Sequence, residues 1–594
     1  MREEFKINSG FLLGFFLLLE FFASRGVYAQ SSQIIDLANP LPILIPLRDN
    51  RFSFDSLDFL AVSNLLYEKT RSKYIRLQNK LSLQAQNQSI LFQDTLYLEN
   101  DWQGLEKILS IAPLSTSSDL YMNGRLVSRL APGIPLHLTI TPFANTGQNL
   151  IELISTDKSK KEKAPVSELF VYASPSIRLS DLLIFTTHQR QYGHWSNFSL
   201  AIFYKVKNHI ASMFDTDRLK YSFQVYDRHL KLERQVEAKP VGRATFLNPT
   251  RESSWSIVSF TDAKFLRWSD EIPNLHYLLI RQENPLLQQS AFYLHRIGLQ
   301  TSTIKDNQVY LNNTPIRLSP VLWDIDIKKG EGMGSDTPES IIGKLKKHHI
   351  NTLMVPLAMA TKDLYRLCEQ HGLFIIQDLS DSALQASSAR KDSSLTTSQA
   401  LSRIAARVHE FKNSPCLLFW NTQAIRGGER AAIEDSLKRI DRYRPLFTPQ
   451  LLAGTRQVNA SKRWSKMTDD EQKQLKKNYQ PIDLIISSYK SNELLLRSNY
   501  SFDTLHVKVM WQVVKSSQAV EKGEISDVSL LPKKEALLLL PVDLASYKDK
   551  ADVKISFQIL LATNKRWAPK NFEIASQNFR YTHLKEDYIF ETSD

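Results

Sequence analysis

Cysteine is almost missing: 594 residues hold two, Cys368 and Cys416. Each sits among apolar neighbours, in LYRLCEQHG and SPCLLFW. No CxxC pair and no Cys/His spacing is present, so no metal site is expected. Exported chains can carry disulfides, but two buried thiols on separate elements fit the pattern equally well. Long apolar runs are scarce too. Beyond the N-terminal region no stretch approaches the ~20 residues of a membrane-spanning helix. No segment is low enough in complexity to demand disorder. No nucleic-acid motif organises the scattered lysines and arginines. Gly427-Gly428 is a lone loop pair and implies no phosphate-binding cofactor. His188, His194 and the His348-His349 pair show no ligand spacing, which leaves them solvated or capping roles.

What is present is ordinary globular composition, 42% hydrophobic and 23% charged, over a length that allows three domains or more. Residues 1–29 read as a cleaved export signal. Arg2 and Lys6 precede an apolar run at 11–19, and Val27-Tyr28-Ala29 ends in a small residue. The expected location is therefore periplasmic, cell-surface or secreted, with no transmembrane segment after cleavage. The net charge is +13. Arg2, Lys6 and Arg25 balance Glu3, Glu4 and Glu20, so the mature chain keeps it. Such a charge suits an acidic polysaccharide, although a generic basic surface explains it as simply.

After a proline-bearing lead-in (Pro40, Pro42, Pro46), residues 90–127 alternate apolar and polar positions as strands do. Asn123-Gly124 is a strong hairpin signal, because both residues tolerate positive φ. LHLTITPF and NLIELI flank a second turn at 145–148. Short strands resume over 166–300, and about seven of them suit an immunoglobulin-like sandwich. The period then changes. Thr337-Pro338-Glu339 starts a helix with Thr as cap and Pro in the first turn. DLYRLCEQHG is a helix closed by Gly372. LFIIQDL is a continuously apolar strand of the parallel kind. A βαβα alternation over the remaining residues predicts a (β/α)8 barrel.

Two segments carry a family resemblance. WSDEIPNLHYLL keeps Trp268, Ser269, Glu271, Pro273 and Leu275 in the positions of a family motif, with Asp270 for its Pro and His276 for its Tyr. YLHRIGLQTSTIKDNQVYLNNTPIRL follows as the hand-off into a barrel. Together they resemble glycoside hydrolase family 2, the group of β-galactosidases, β-mannosidases and β-glucuronidases. The resemblance implies a jelly roll at 30–160, an immunoglobulin-like sandwich at 165–300 and a TIM barrel at 301–594. It implies an oligo- or polysaccharide partner, no nucleic acid and no cofactor.

It also implies where catalysis should sit. A retaining glycosidase needs two carboxyls ~5–5.5 Å apart. The family's acid/base Glu follows an Asn at the end of strand four. Here Asn421 keeps the Asn, and the Glu position falls on Thr422, or on Gln423 with a one-residue slip. Neither can give and recover a proton near neutral pH. The nucleophile should end strand seven, for which LHVKVMWQVV is the candidate, with Gln512 at its end and Glu493 and Glu521 nearby in sequence. Met354 stands where the family has an Arg. Gln377 and Asp378 keep a Gln-Asp pair of the mannosidase-like branch, with Asp381 as a second carboxylate. Asp324 and Asp326 follow the first strand. Trp323, Trp420 and Trp511 lie near strand ends, where they either floor a sugar cleft or pack the rim. Two readings stay open: a glycan-binding protein with a degenerate barrel, or an active β-glycosidase with relocated carboxylates.

Overall fold

The computed structural model describes strands Ile43–Pro46 and Tyr74–Arg76 and, with breaks, residues 90–592. The export signal, the charged break at 158–163 and Asp381 lie outside the described residues. So do the side chains of His188 and His194.

The first module pairs two four-stranded antiparallel sheets. Its central hairpin joins Ser118–Met122 to Arg125–Leu130. Asn123 (φ 51°) and Gly124 (φ 73°) make the turn expected from the sequence. Asn149 is buried beside it, accepting from the Asn145 amide at 2.6 Å and from Asn123 Nδ2 at 2.9 Å. The second module packs a five-stranded sheet against a three-stranded one. The two modules share one apolar core, in which Leu109, Val171, Tyr204, Phe223 and Ile280 are fully buried.

The third module begins with the expected change of period. Four parallel strands, Pro320–Leu322, Thr352–Val355, Phe374–Asp378 and Leu417–Asn421, form one sheet in sequence order. Helices Pro338–Lys347, Lys362–His371 and Ser394–Phe411 connect them. Thr337 caps the first helix by accepting from the Ser340 amide, and Gly372 closes the second in the left-handed conformation (φ 72°). The last strand is buried throughout, as parallel strands covered on both faces must be. Single parallel bridges extend the sheet at both edges, Leu322 to Arg463 and Trp420 to Leu446.

Beyond Ile482 the architecture departs from the expectation of one barrel to the C terminus. Ile482–Ser488, Glu493–Ser498 and Glu535–Leu539 form an antiparallel sheet, and Leu505–Lys515 lies inside a second, five-stranded antiparallel sheet. Leu505–Lys515 was the expected seventh barrel strand. Its burial alternates, with Leu505, Val507, Val509, Trp511 and Val513 inward and His506 and Gln512 exposed. One wet face is the mark of an antiparallel sheet, not of a parallel strand covered on both sides. These sheets have their own core around Leu494, Val509, Phe557 and Ile574. Among the described residues the parallel sheet holds four strands.

Trp268 plugs the joint between the second and third modules. It is fully buried, its Nε1 donates to the Glu369 carbonyl at 2.9 Å, and its ring meets Phe374 edge-on at 5.6 Å. Gly298 lies so close that a Cβ there would come within 2.6 Å of Pro415. Arg296 donates to the Glu369 carboxylate across the same joint, through Nε at 2.8 Å. Asn413 closes the seam on the other side, donating to the Leu182 carbonyl and accepting from the Ile184 amide, each at 2.9 Å.

Candidate functional site

Catalytic groups on parallel α/β sheets gather at the C-terminal strand ends. Three of the four ends here carry Trp323 and Asp324, Asp378, and Asn421, Thr422 and Gln423.

Asp378 and Asn421 are register partners on adjacent strands. Asp378 is half-buried and accepts from the Ser380 amide at 2.9 Å. Burial raises its pKa above the ordinary carboxylate value. Asn421 is nearly buried, and its Oδ1 accepts from the Gln423 amide at 3.0 Å. Thr422, one of the two residues onto which the acid/base Glu was expected to fall, is wholly buried and donates to Glu434 at 2.7 Å. Gln423 donates to the Phe447 carbonyl at 3.1 Å. Both are fastened to the neighbouring helix and loop, and neither titrates near neutrality.

Several expected pocket residues turn inward. Gln377 is completely buried, accepts from the Tyr365 hydroxyl at 2.9 Å and donates to the Val355 carbonyl at 2.9 Å. It fixes the strand to its helix. Trp420 is fully buried and donates to Asp441 at 2.9 Å, and Trp323 is fully buried as well. A ring with no exposed face cannot stack on a sugar, so both belong to the core. Trp511 and Gln512 are in the C-terminal sandwich rather than at a parallel strand end. Trp511 packs on Gly523, and Gln512 projects to solvent. Asp324 is held by Ser465, whose amide donates at 3.1 Å. Glu521 accepts from Tyr547 at 2.6 Å on the sandwich.

No cluster of metal-ligating side chains occurs among the described residues. Cys368 and Cys416 are free and buried, and burial raises both thiols well above their ordinary value.

The sequence reading missed a second polar cluster at the opposite, N-terminal ends of the same strands. A cavity of about 70 Å³ lies there, where the second module, the parallel sheet and the C-terminal sandwich meet. Asp270, Glu271, Lys346, His349 and Asn351 line it. Two adjacent acids in an otherwise apolar motif, and the histidine pair, were the available signals.

Comparison with known proteins finds two matching domains, which overlap over residues 494–522. Residues 302–522 match the family model for the TIM barrel domain of glycosyl hydrolases family 2, and residues 494–582 match that for β-galactosidase domain 4. The second match covers the antiparallel sandwich. A β-galactosidase of Priestia megaterium is 20% identical over 293 residues, 47% of this chain and 27% of that protein. A β-galactosidase of Lactobacillus delbrueckii subsp. bulgaricus is 24% identical over 256 residues, 38% of this chain and 25% of that one. The chain thus spans about a quarter of the length of these relatives. Among solved structures, the exo-chitosanase of Amycolatopsis orientalis superposes with a TM-score of 0.56 at 8% identity, covering 84% of this chain and 78% of that one. The β-mannosidase of Dictyoglomus thermophilum gives 0.54 at 10% identity, covering 82% of each. Those identities speak for the fold alone. On the motif around Trp268, the parallel sheet and the two matching domains, the chain is a glycoside hydrolase family 2-like protein.

Proposed function

We propose that this protein is an exported, carbohydrate-binding relative of the family 2 glycosidases whose parallel sheet has lost hydrolytic chemistry. The observation that carries this reading is Thr422. At this candidate acid/base position the side chain is a buried hydroxyl already committed to Glu434, and at the alternative, Gln423, it is an amide bonded to the Phe447 carbonyl. General acid catalysis needs a proton donor within reach of the glycosidic oxygen, and a hydroxyl fastened inside the sheet cannot serve. The position expected for the nucleophile, Gln512, faces solvent from another module, so the two carboxyls that retention requires have no counterpart at these two positions. The mature chain is basic, and acidic glycans are the first ligands to try.

A second reading rests on Asp378. A half-buried carboxyl at a strand end, with its pKa raised by burial, is the kind of group that can act as an acid. In that reading the chain is a β-glycosidase with relocated carboxylates.

One experiment separates them. The purified mature chain is incubated with a panel of nitrophenyl β-glycosides beside Asp378→Asn, and its binding to a glycan array is measured in parallel. No turnover together with saturable glycan binding fits the first reading. Turnover by the parent that disappears in Asp378→Asn establishes the second, and turnover that survives it overturns both assignments.

A further inference from the structure

The junction cavity holds more ionisable groups than a structural joint requires. Glu271 reaches from the second module into the C-terminal sandwich. Its Oε1 accepts from the Ser501 amide at 2.7 Å, and its Oε2 from the Phe502 and Asp503 amides at 2.7 and 2.8 Å. This one carboxylate therefore clamps the start of the sandwich. Asp270, the preceding residue, is 7% exposed. Its Oδ2 accepts from Asn351 at 2.9 Å, while its buried Oδ1 has no hydrogen-bond partner. A proton on that Oδ1 breaks no existing hydrogen bond. Every other oxygen of the two carboxylates already accepts one.

We propose that Asp270 and Glu271 form an acid-set latch: one proton held by the pair keeps the C-terminal sandwich docked, and its release loosens residues 499–503. Two neighbouring carboxylates in a largely buried site cannot both ionise cheaply. Burial, followed by the charge of Asp270, pushes Glu271 up to about 7, and burial raises Asp270 too. The groups facing the pair are placed on every side. Lys346, at the end of its helix, donates to the Asp270 and Gly372 carbonyls, each at 2.9 Å. Arg317 enters from the lead-in to the first parallel strand. Lys533, Tyr500 and Asp503 face it from the sandwich, with Asp483 acting on Lys533 and Arg566 on Lys346. His349 lines the same cavity, and burial lowers it to about 3.

The sign follows from linkage. The docked pair retains a proton that the opened, hydrated pair releases. Between the ordinary Glu value of 4.5 and about 7, docking therefore weakens as pH rises. His349 opposes this, since an opened, hydrated imidazole takes up a proton on acidification that the docked one refuses.

The test is hydrogen exchange on the full chain, reading protection of the Ser501, Phe502 and Asp503 amides after correction for intrinsic rates, at about pH 5.5 and about pH 8. Replacing Asp270 by Asn keeps the shape and removes one of the two carboxylates, so that Glu271 keeps its burial but loses the charge beside it. Relative to Asp270→Asn, the parent should lose at least about tenfold in protection between the two pH values. Equal pH responses in parent and variant overturn the latch. If Asp270→Asn does not fold, His349→Asn removes the opposing group at a left-handed position (φ 60°) that Asn tolerates. Protection in that variant should fall as pH rises, and flat or rising protection overturns the proposal.

Discussion

Asp378 and Asn421 end neighbouring parallel strands in direct register, and the Leu379 amide just past the first donates to the carbonyl of the second at 2.9 Å. The pair fixes a carboxylate in the centre of the sheet's C-terminal edge. Burial disfavours the charged form of Asp378, and the Ser380 amide needs only an oxygen acceptor. Asp378→Asn should therefore leave the urea unfolding midpoint at pH 7 unchanged or raise it. Asp378→Ala, which removes the acceptor, should cost about 1 kcal/mol. A large loss in the Asn variant would reveal a cationic partner for the carboxylate.

Arg296 and Glu369 are both largely buried at the joint of the second and third modules, and Ser414 donates to the same carboxylate. Removing one member strands the other charge away from water. Glu369→Ala should lower stability by about 3–5 kcal/mol in equilibrium denaturation. A loss under about 1 kcal/mol would mean that water reaches the seam.

Gly523 lies across from Trp511 on paired antiparallel strands, and a Cβ there would stand 2.5 Å from the indole ring. Gly523→Ala should shift the ring, cost about 1–3 kcal/mol and change tryptophan fluorescence. Glycan binding should be unaffected, because Trp511 is a core residue. Loss of binding with stability intact would return it to a ligand site.

Burial lowers six of the described histidines: His209, His276, His295 and His371 to about 4, His349 to about 3, and His348 as well. The folded chain resists protonating them, whereas the unfolded chain protonates them near 6.5, so global stability should fall as pH drops below that value. The urea midpoint should be lower at about pH 5 than at about pH 7. This global trend opposes the local one at Asp270 and Glu271, because opening residues 499–503 does not hydrate all six imidazoles. An acid-insensitive midpoint would show that the rings stay hydrated.

Much of the fold was legible because its signals are local. Asn123-Gly124 can adopt positive φ, so the hairpin follows from two residues. Thr337 and Gly372 bound their helices by capping, which needs only the neighbouring backbone. The segments FIIQD and LLFWN read as parallel strands because they are apolar almost throughout, and in the fold only Asp378 among them keeps partial exposure. The departure came at Leu505–Lys515, where a strand was recognised and its partners were not. Strand propensity belongs to a segment, while pairing direction depends on which distant segment arrives beside it.

The sequence by itself determined the hairpin at Asn123-Gly124, the helix ends and the change of period near residue 320, because each depends on residue type and short-range spacing. Only the tertiary structure decided which side chains reach solvent. It put Trp323, Trp420 and Gln377 into the core, where their places near strand ends had left a cleft open as an alternative. It also gathered Asp270, Glu271, Lys346 and His349 into one cavity from segments some eighty residues apart. Burial and charge pairing are properties of packed neighbours, and the chain acquires those neighbours only when its modules close on one another.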